Sequence, residues 1–466
     1  MSEKSNSNMV KASFFYIMSS FLLRGISFIT TPFFSRILTQ NEYGYISNFN
    51  SWLSIFIIVT SLSLISSLIR ARFDYCEDYN SYVSSILILG LVFTFFCFTA
   101  IFINYDFFKN ALGLDKRYIA LIALCSIAQP AYDIFFQNQR FNYKYKLISA
   151  MSIIVTLIGV GLSFLFVNIC DDKSWGMVLG TQLPVIIVGI TIYVYYWKKT
   201  LKFKLKYCKY ALVICIPYIF HLLSSIILSS SDRVMITRIC GTKDNAVYSM
   251  AYNIGMIVNV VWMALNQAFS PWVGEKLNEK KYSQIRDVST LYTIMFCIIV
   301  IGLLLIAPET LMILGGRKYA DSLDVIPIVM LSYVIVFVDS LYVNVLQYEK
   351  HTFGMACATI VAAVMNVILN YKLIPLFGYR AAAYTTLFSY LILFIMDFEL
   401  VRIKKFVRVY NSKLIVKILM IMICLSFIML IVYKYIIARC VMLIIYILFI
   451  CKKIYKYKDN IKYIRN

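Results

Sequence analysis

Arg24 sits in the middle of an apolar stretch long enough to cross a membrane, and its guanidinium is the most demanding group in the chain. At the centre of a bilayer such a charge costs at least about 2.5–3.5 kcal/mol, so it calls for an anionic partner or a watery cavity. At about 100° per residue, Ser13, Ser20, Arg24, Ser27, Thr31 and Ser35 fall within one arc of the same helix. A similar arc in the seventh apolar run holds His221, Ser225, Ser229 and Asp232, with Arg233 turned about 100° away. The fourth run aligns Ser126, Gln129, Asp133 and Gln137, the eighth Tyr252, Asn259, Asn266 and Ser270, and the tenth carries Asp339. Asn and Ser in these places serve either as interhelical hydrogen bonders or as cavity lining. For Arg24 and Asp232 the larger cost of burial favours the cavity, and His221 reads as a proton carrier or a structural hydrogen bonder. A chamber lined by Arg, Asn, Gln, Ser and Tyr suits a ligand with many hydroxyls and an anionic group. Cationic drugs would instead favour acidic and aromatic walls.

The elements that position these residues are membrane spans. Of the 466 residues 61% are hydrophobic and 15% charged, and the mean hydropathy is +0.77, which excludes a soluble enzyme, a disulfide scaffold and a disordered chain. Apolar runs of about 20 residues match a hydrocarbon core of about 30 Å as helices, not the shorter alternating strands of a barrel. They predict about fourteen spans, at roughly 12–37, 46–69, 82–104, 117–137, 147–168, 176–197, 211–240, 247–270, 289–308, 325–347, 353–374, 380–400, 413–433 and 436–451. The last two are joined so tightly at Lys434 and Tyr435 that a re-entrant hairpin is the alternative to two crossings.

The net charge of +22 is spread over separate loops, which suits anionic lipid headgroups and not nucleic acid. The richest basic segments, 198–209, 402–413 and the tail after 452, fall on one side of this map. Both termini are therefore expected in the cytoplasm, and the first apolar run is too long for a cleavable signal. The 12 cysteines form no CxxC or zinc spacing and there are only 2 histidines, so neither a metal nor a cofactor is expected. The longest stretches between spans, 271–288 and 309–324, are shorter than about 20 residues, too short for a catalytic domain of roughly 50 or more. That argues against a transferase or polymerase, and the doublet Asp171-Asp172 reads as a solvated turn. Nothing resembles a nucleophile with its base, a phosphate-cradling glycine loop or an ATPase motif, so energy must come from an ion gradient or from consumption of the product on the far side.

An internal repeat organises the spans. Ser35-Arg36-Ile37-Leu38 followed by Glu42-Tyr43-Gly44-Tyr45-Ile46-Ser47 recurs, six spans later, as Thr237-Arg238-Ile239-Cys240 followed by Asp244-Asn245-Ala246-Val247-Tyr248-Ser249. A weaker echo pairs Gln137-Asn138-Gln139-Arg140 with Gln347-Tyr348-Glu349-Lys350. An even offset makes the halves parallel, the arrangement of transporters with a central midplane site. The expected fold is all-α and polytopic, with two pseudo-symmetric six-helix lobes around a cavity, at 1–200 and 201–405, and a C-terminal helix pair with a basic tail at 406–466.

Arg24-Gly25-Ile26-Ser27-Phe28-Ile29-Thr30-Thr31-Pro32 with Arg36, Leu38, Glu42-Tyr43-Gly44 and Trp52 resembles the opening of bacterial polysaccharide flippases for O-antigen and capsule repeat units, within the multidrug/oligosaccharidyl-lipid/polysaccharide exporter superfamily. The resemblance continues through Asp232-Arg233-Val234-Met235-Ile236, through Gln267-Ala268-Phe269-Ser270-Pro271-Trp272 with Glu275-Lys276-Leu277, and through Ile374-Pro375-Leu376-Phe377-Gly378-Tyr379 with Ala382-Ala383. It implies a V of two six-helix lobes that carries undecaprenyl-pyrophosphate-linked sugar to the outer leaflet of the inner membrane by alternating access. It also implies a cavity arginine at Arg24, membrane lipid and lipid-linked oligosaccharide as partners, and a polysaccharide polymerase and chain-length regulator acting beside it. On this reading Arg24 and Arg233 attract the pyrophosphate and Gln129, Gln137, Asn259 and Asn266 contact sugar. Asp133, Asp232, Asp339 and His221 balance charge or carry coupling protons. The rival within the superfamily is an ion-coupled small-molecule or drug antiporter. The family pattern has twelve spans, so the last pair departs from it; in related peptidoglycan-precursor flippases an extra terminal pair serves the lipid tail.

Overall fold

The computed structural model describes residues 3–142, 144–349, 351–403 and 409–448, with side chains of the first helix described at Met18, Ser19 and from Leu22 onward. Among the described residues each predicted span falls mainly on helix. The first eight helices are α1 (Glu3–Ile37), α2 (Gln40–Ser61), α3 (Leu68–Asp74), α4 (Tyr79–Ile103), α5 (Tyr105–Leu112), α6 (Lys116–Phe141), α7 (Tyr145–Ile169) and α8 (Lys173–Lys199). Then come α9 (Leu205–Ile239), α10 (Thr242–Asn278), α11 (Tyr282–Leu305), α12 (Ala307–Leu314), α13 (Ile326–Tyr348), α14 (Thr352–Phe377), α15 (Tyr379–Ile403) and α16 (Ser412–Val432). A short apolar helix, α17 (Ile436–Leu448), follows. The fold is all-α and polytopic, and α5 and α12 are short helices between spans.

Contacts divide the chain into two compact units, Met1–Ala246 with Ala363–Tyr379, and Val247–Ala362 with Arg380–Asn466. These units are not the repeat halves, because α9 packs on α2 and α4 of the first unit. The division at 1–200, 201–405 and 406–466 rests on the repeat and stays a proposal.

In the first unit, local sequence explains the helix ends. Thr39 caps α2 reciprocally with Glu42: the Glu42 N–H donates to Thr39 Oγ1 at 3.2 Å and the Thr39 N–H donates to Glu42 Oε2 at 2.7 Å. The sequence predicts an unbroken span over 46–69, and the structure interrupts it. α2 stops at Ser61, Leu62 and Ser63 both take left-handed backbone (φ 50° and 48°), and a 3-10 turn at Leu64–Ser67 leads into α3. Two consecutive non-glycine residues in that region cost roughly 1–2 kcal/mol each. The cause lies in the hydroxyl-rich text Thr60-Ser61-Leu62-Ser63, whose side chains compete for the backbone: Ser61 Oγ accepts the Ser63 N–H at 3.2 Å, and Ser67 Oγ donates to the Leu64 carbonyl at 2.7 Å.

Helices α7 and α8 approach backbone to backbone. A Cβ at Gly180 would lie 2.4 Å from the Ser163 nitrogen, the small-residue contact by which membrane helices associate without a hydrophobic drive. The outer face of α7 is apolar and open, with Ile154, Leu157, Ile158 and Leu165 each at least half exposed, as a lipid-facing surface must be. Asp172, expected in a solvated turn, does more. It caps α8 by accepting the Ser174 and Trp175 N–H groups and pairs with Arg117.

On the opposite end of the same unit the segment after α8 is fastened to α4. Asp78 pairs with Lys204 and accepts the Tyr207 hydroxyl, and the Lys204 N–H donates to Ser85 Oγ at 3.0 Å. The Lys204 ammonium, with the Ser81 and Tyr207 hydroxyls, holds the Asp78 carboxyl well below the usual carboxylate range. The attachment therefore persists through neutral and mildly acid pH and is lost only as pH falls through that depressed value.

The second unit is built around α13, whose apolar window is 83% buried. Phe296 stacks on Phe337 at 4.0 Å and Phe269 on Tyr292 at 4.4 Å. The C-terminal pair belongs to this unit. Helix α16 packs on α13 and α11, the Tyr433 hydroxyl donates to the Leu304 carbonyl and Tyr446 to the Ile298 carbonyl, both at 2.7 Å, and Arg439 grips Glu309 with both terminal nitrogens.

That ion pair is lopsided: the Arg439 side chain is 8% exposed and Glu309 55%. Removing Glu309 strands a buried guanidinium, whereas removing Arg439 leaves a carboxylate that water reaches. Glu309→Ala is expected to cost about 2–3 kcal/mol and Arg439→Leu under about 1 kcal/mol. Thermal unfolding of the two purified variants checks the asymmetry; equal losses would contradict it.

Candidate functional site

Of the polar groups expected to line a chamber, Arg24, Gln129, Gln137, Asp133, Asp232 and Arg233 lie in the first unit and Asn259, Asn266 and Asp339 in the second. The side chains of His221, Ser13 and Ser20 lie outside those described. On α1, Arg24 is half-buried, Ser27 exposed and Thr31 half-buried. The stripe partly closes on itself: the Thr30 and Thr31 hydroxyls donate to the Ser27 carbonyl at 3.1 and 2.7 Å, and Ser35 to the Pro32 carbonyl at 3.1 Å.

Helix α6 holds Asp133 one turn from Gln129, whose amide donates to the carboxylate at 2.9 Å. Asp133 borders a small cavity of about 30 Å³, shared with Ser61, Leu64, Ile65, Gly90, Pro130 and Tyr193. Gln137 is half-buried. Its neighbour Asn138, not singled out from the sequence, is the better-connected amide: it accepts from Tyr79 at 2.5 Å and donates to Tyr196 at 2.7 Å. A lone Asn beside two Gln gives no helical spacing by which to choose it.

Asp232, fully buried on α9, accepts the Arg233 N–H at 2.8 Å. The adjacent Ser231 donates to Asn366 Oδ1 at 3.3 Å, and Asn370 donates to the same oxygen at 3.0 Å. Asn366 and Asn370 are both fully buried, and sequence reading missed them. Their signal is an i, i+4 pair of amides on one face of an otherwise apolar span.

In the second unit, Asn266 accepts from Asn344 at 3.2 Å and Trp262 donates to Ser340 at 3.0 Å, so this face of α10 is joined to α13 by interhelical hydrogen bonds. For Asn266 the structure therefore shows a packing contact. Asn259 is half-buried, and its buried carbonyl oxygen has no hydrogen-bond partner among the described residues. Asp339 has an unexpected neighbour, Asp397 on α15, and the two carboxyls are buried at 7% and 2% exposure.

The two copies of the repeat touch within the first unit. Thr242 Oγ1 donates to Asn41 Oδ1 at 3.1 Å, and Asn245 Nδ2 donates to the Gly44 carbonyl at 2.9 Å. Gly44 is the residue that permits it, because a Cβ there would lie 1.7 Å from the Thr242 carbonyl oxygen.

Comparison with known proteins agrees with this architecture. The family model described as polysaccharide biosynthesis protein matches residues 9–277, and the MatE model matches 217–372. A protein of the Lsg locus of Haemophilus influenzae is 24% identical over 292 residues, covering 58% of this chain and 67% of its own. The "Probable low-salt glycan biosynthesis flippase Agl15" of Haloferax volcanii is 22% identical over 382 residues, covering 78% of each chain. Among solved structures, the lipid II flippase MurJ in its inward closed conformation superposes with a TM-score of 0.72 at 13% identity, covering 94% of this chain and 98% of its own. That likeness fixes the fold alone.

Proposed function

Because this chain belongs to the polysaccharide biosynthesis protein family, a family of multi-pass membrane transporters, we propose that it flips undecaprenyl-pyrophosphate-linked oligosaccharide repeat units from the cytoplasmic to the outer leaflet of the inner membrane, both termini staying in the cytoplasm. The observation that carries this reading is Arg24, a half-buried guanidinium in an apolar helix of a polysaccharide family. A pyrophosphate with several hydroxyls cannot cross hydrocarbon unassisted, since each unpaired polar group costs several kcal/mol. Arg24 and Arg233 meet the anion with charge-assisted hydrogen bonds. Gln129, Gln137 and Asn259 offer amides to sugar hydroxyls, Asn266 does so only when its bond to Asn344 is exchanged, and the polyprenyl chain stays in lipid. Asp133, Asp232, Asp339 and His221 balance these charges or carry protons. The name of the Haloferax relative points the same way. The product feeds O-antigen or capsule assembly, with a polymerase and chain-length regulator downstream.

The MatE match over 217–372 favours a second reading, a small-molecule antiporter; the basic α1 argues against it for cationic substrates. Proteoliposomes holding polyprenyl-pyrophosphate-linked oligosaccharide separate the two. We expect an impermeant glycosidase to reach nearly all of the labelled lipid when the protein is present and about half when it is absent. Equal digestion in both, together with uptake of cationic dyes, would favour the antiporter.

A further inference from the structure

The linker that joins α8 to α9 has two faces, and we propose that its outward face is a docking strip for the acidic phospholipid headgroups of the leaflet at which α8 ends. Residues 200–204 are extended, so alternate side chains point to opposite sides. One side is fixed to the first unit. The Lys204 ammonium pairs with Asp78 and lies 5.3 Å over the Tyr207 ring, the Ser85 hydroxyl donates to the Lys202 carbonyl at 3.3 Å, and the Lys206 ammonium lies 5.7 Å over the Tyr75 ring. The other side carries Leu201 and Phe203, 68% and 53% exposed, and Leu205 at the start of α9 is 60% exposed. Three large apolar side chains are thus held outward by contacts made on the opposite side of the same segment.

Charge and depth select the occupant. Six lysines lie within 198–209, and between Asp172 and Asp232 the chain has no acidic residue. Facing them at the α3–α4 junction are Asp74, Glu77 and Asp78, of which Asp74 is already answered by Arg70 and Tyr210, and Asp78 by Lys204 and Tyr207. Lys198, Lys199, Lys202 and Lys209 are exposed, a positive excess that calls for an anionic surface. Helix α8 is long and apolar enough to cross a membrane and ends at Lys199, so the linker starts where that span leaves the hydrocarbon. At this depth apolar side chains enter the acyl boundary while lysine stems reach to the phosphate layer, and each lysine near an acidic leaflet adds to the attraction. A soluble acidic protein or a nucleic acid would answer the lysines but leave Leu201, Phe203 and Leu205 in water. The strip is fixed to α4 through Ser85 and runs into α9, which packs on α2 and α4, so lipid bound here steadies the junction of those helices. The inference holds whichever substrate the protein carries.

The test is hydrogen–deuterium exchange of the 200–206 amides, read by mass spectrometry on the full-length protein in lipid nanodiscs without any saccharide, so its outcome is separate from that of the transport assay. Exchange is expected to be about tenfold slower in discs of phosphatidylcholine mixed with phosphatidylglycerol than in phosphatidylcholine alone. Replacing the four exposed lysines together, by Lys198→Gln, Lys199→Gln, Lys202→Gln and Lys209→Gln, is expected to erase the difference, and Leu201→Ser with Phe203→Ser to shrink it several-fold. Unchanged exchange in the remaining helices shows that these variants keep the fold. Should the four-lysine variant fail to fold, the wild type decides, since a difference made by headgroup charge disappears at high salt. Equal exchange in the two lipids, a difference that survives loss of the four lysines or high salt, or the same slowing by soluble glycerol phosphate in phosphatidylcholine discs, which would mark a free-anion site, each overturns the proposal.

Discussion

Gly44→Ala is expected to abolish the folded protein. The new Cβ would lie 1.7 Å from the Thr242 carbonyl oxygen, 2.7 Å from its carbon and 3.1 Å from the Ala246 nitrogen. All three are backbone atoms, so no side chain can swing aside, and relief requires α9 and α10 to withdraw from α2. Withdrawal breaks the Asn245 bond to the Gly44 carbonyl and the Thr242 bond to Asn41, and it leaves the fully buried Asn245 amide without that acceptor. Overpacking and a lost buried hydrogen bond together place the cost above about 4 kcal/mol. Gly161→Ala is the matched control: it too is in mid-helix, but nothing lies within 4 Å of its added Cβ, and alanine there stabilises by about 0.5–1 kcal/mol. The monodisperse fraction in size-exclusion chromatography reads both. A normal Gly44→Ala yield would show that the two repeat copies do not meet as described.

Arg24→Ala is expected to cut surface polysaccharide by about tenfold to a hundredfold with the protein still in the membrane. The range follows from losing one charge-assisted contact to a pyrophosphate, worth about 1.5–3 kcal/mol. Arg24→Lys keeps the charge but not the planar fork that matches two phosphate oxygens, and so falls between alanine and wild type. A role confined to helix packing predicts otherwise, with both variants losing membrane-inserted protein in proportion to polymer. Quantifying polymer against protein in the same cells distinguishes these outcomes.

Much of the fold was legible because hydrophobic length is a strong signal: each predicted span falls mainly on helix among the described residues, and the tight Lys434–Tyr435 connection reads correctly as the joint between α16 and α17. The break at Leu62 and Ser63 was not legible, since apolar residues continue through it and the hydroxyls that compete for backbone look like ordinary polar substitutions. The repeat was visible as text, but similarity is not contact, and only the structure shows Thr242 against Asn41 and Asn245 against Gly44. Candidate site residues divide the same way. Helical spacing found Gln129 with Asp133, which are hydrogen-bonded. It could not find neighbours on distant helices, so Asp397 for Asp339, Asn344 for Asn266 and Glu309 for Arg439 all emerged only in three dimensions. Asn366 and Asn370 carry a periodic signal, two amides at i, i+4 in an apolar span.

The sidedness of lipid-linked oligosaccharide in cells depleted of this protein tests the central claim most directly. Newly made polyprenyl-linked repeat units should accumulate and resist an impermeant reagent applied to spheroplasts, becoming accessible when the wild-type chain is restored but not when Arg24→Ala is. Repeat units that remain accessible from outside in depleted cells would contradict a flippase role for this chain.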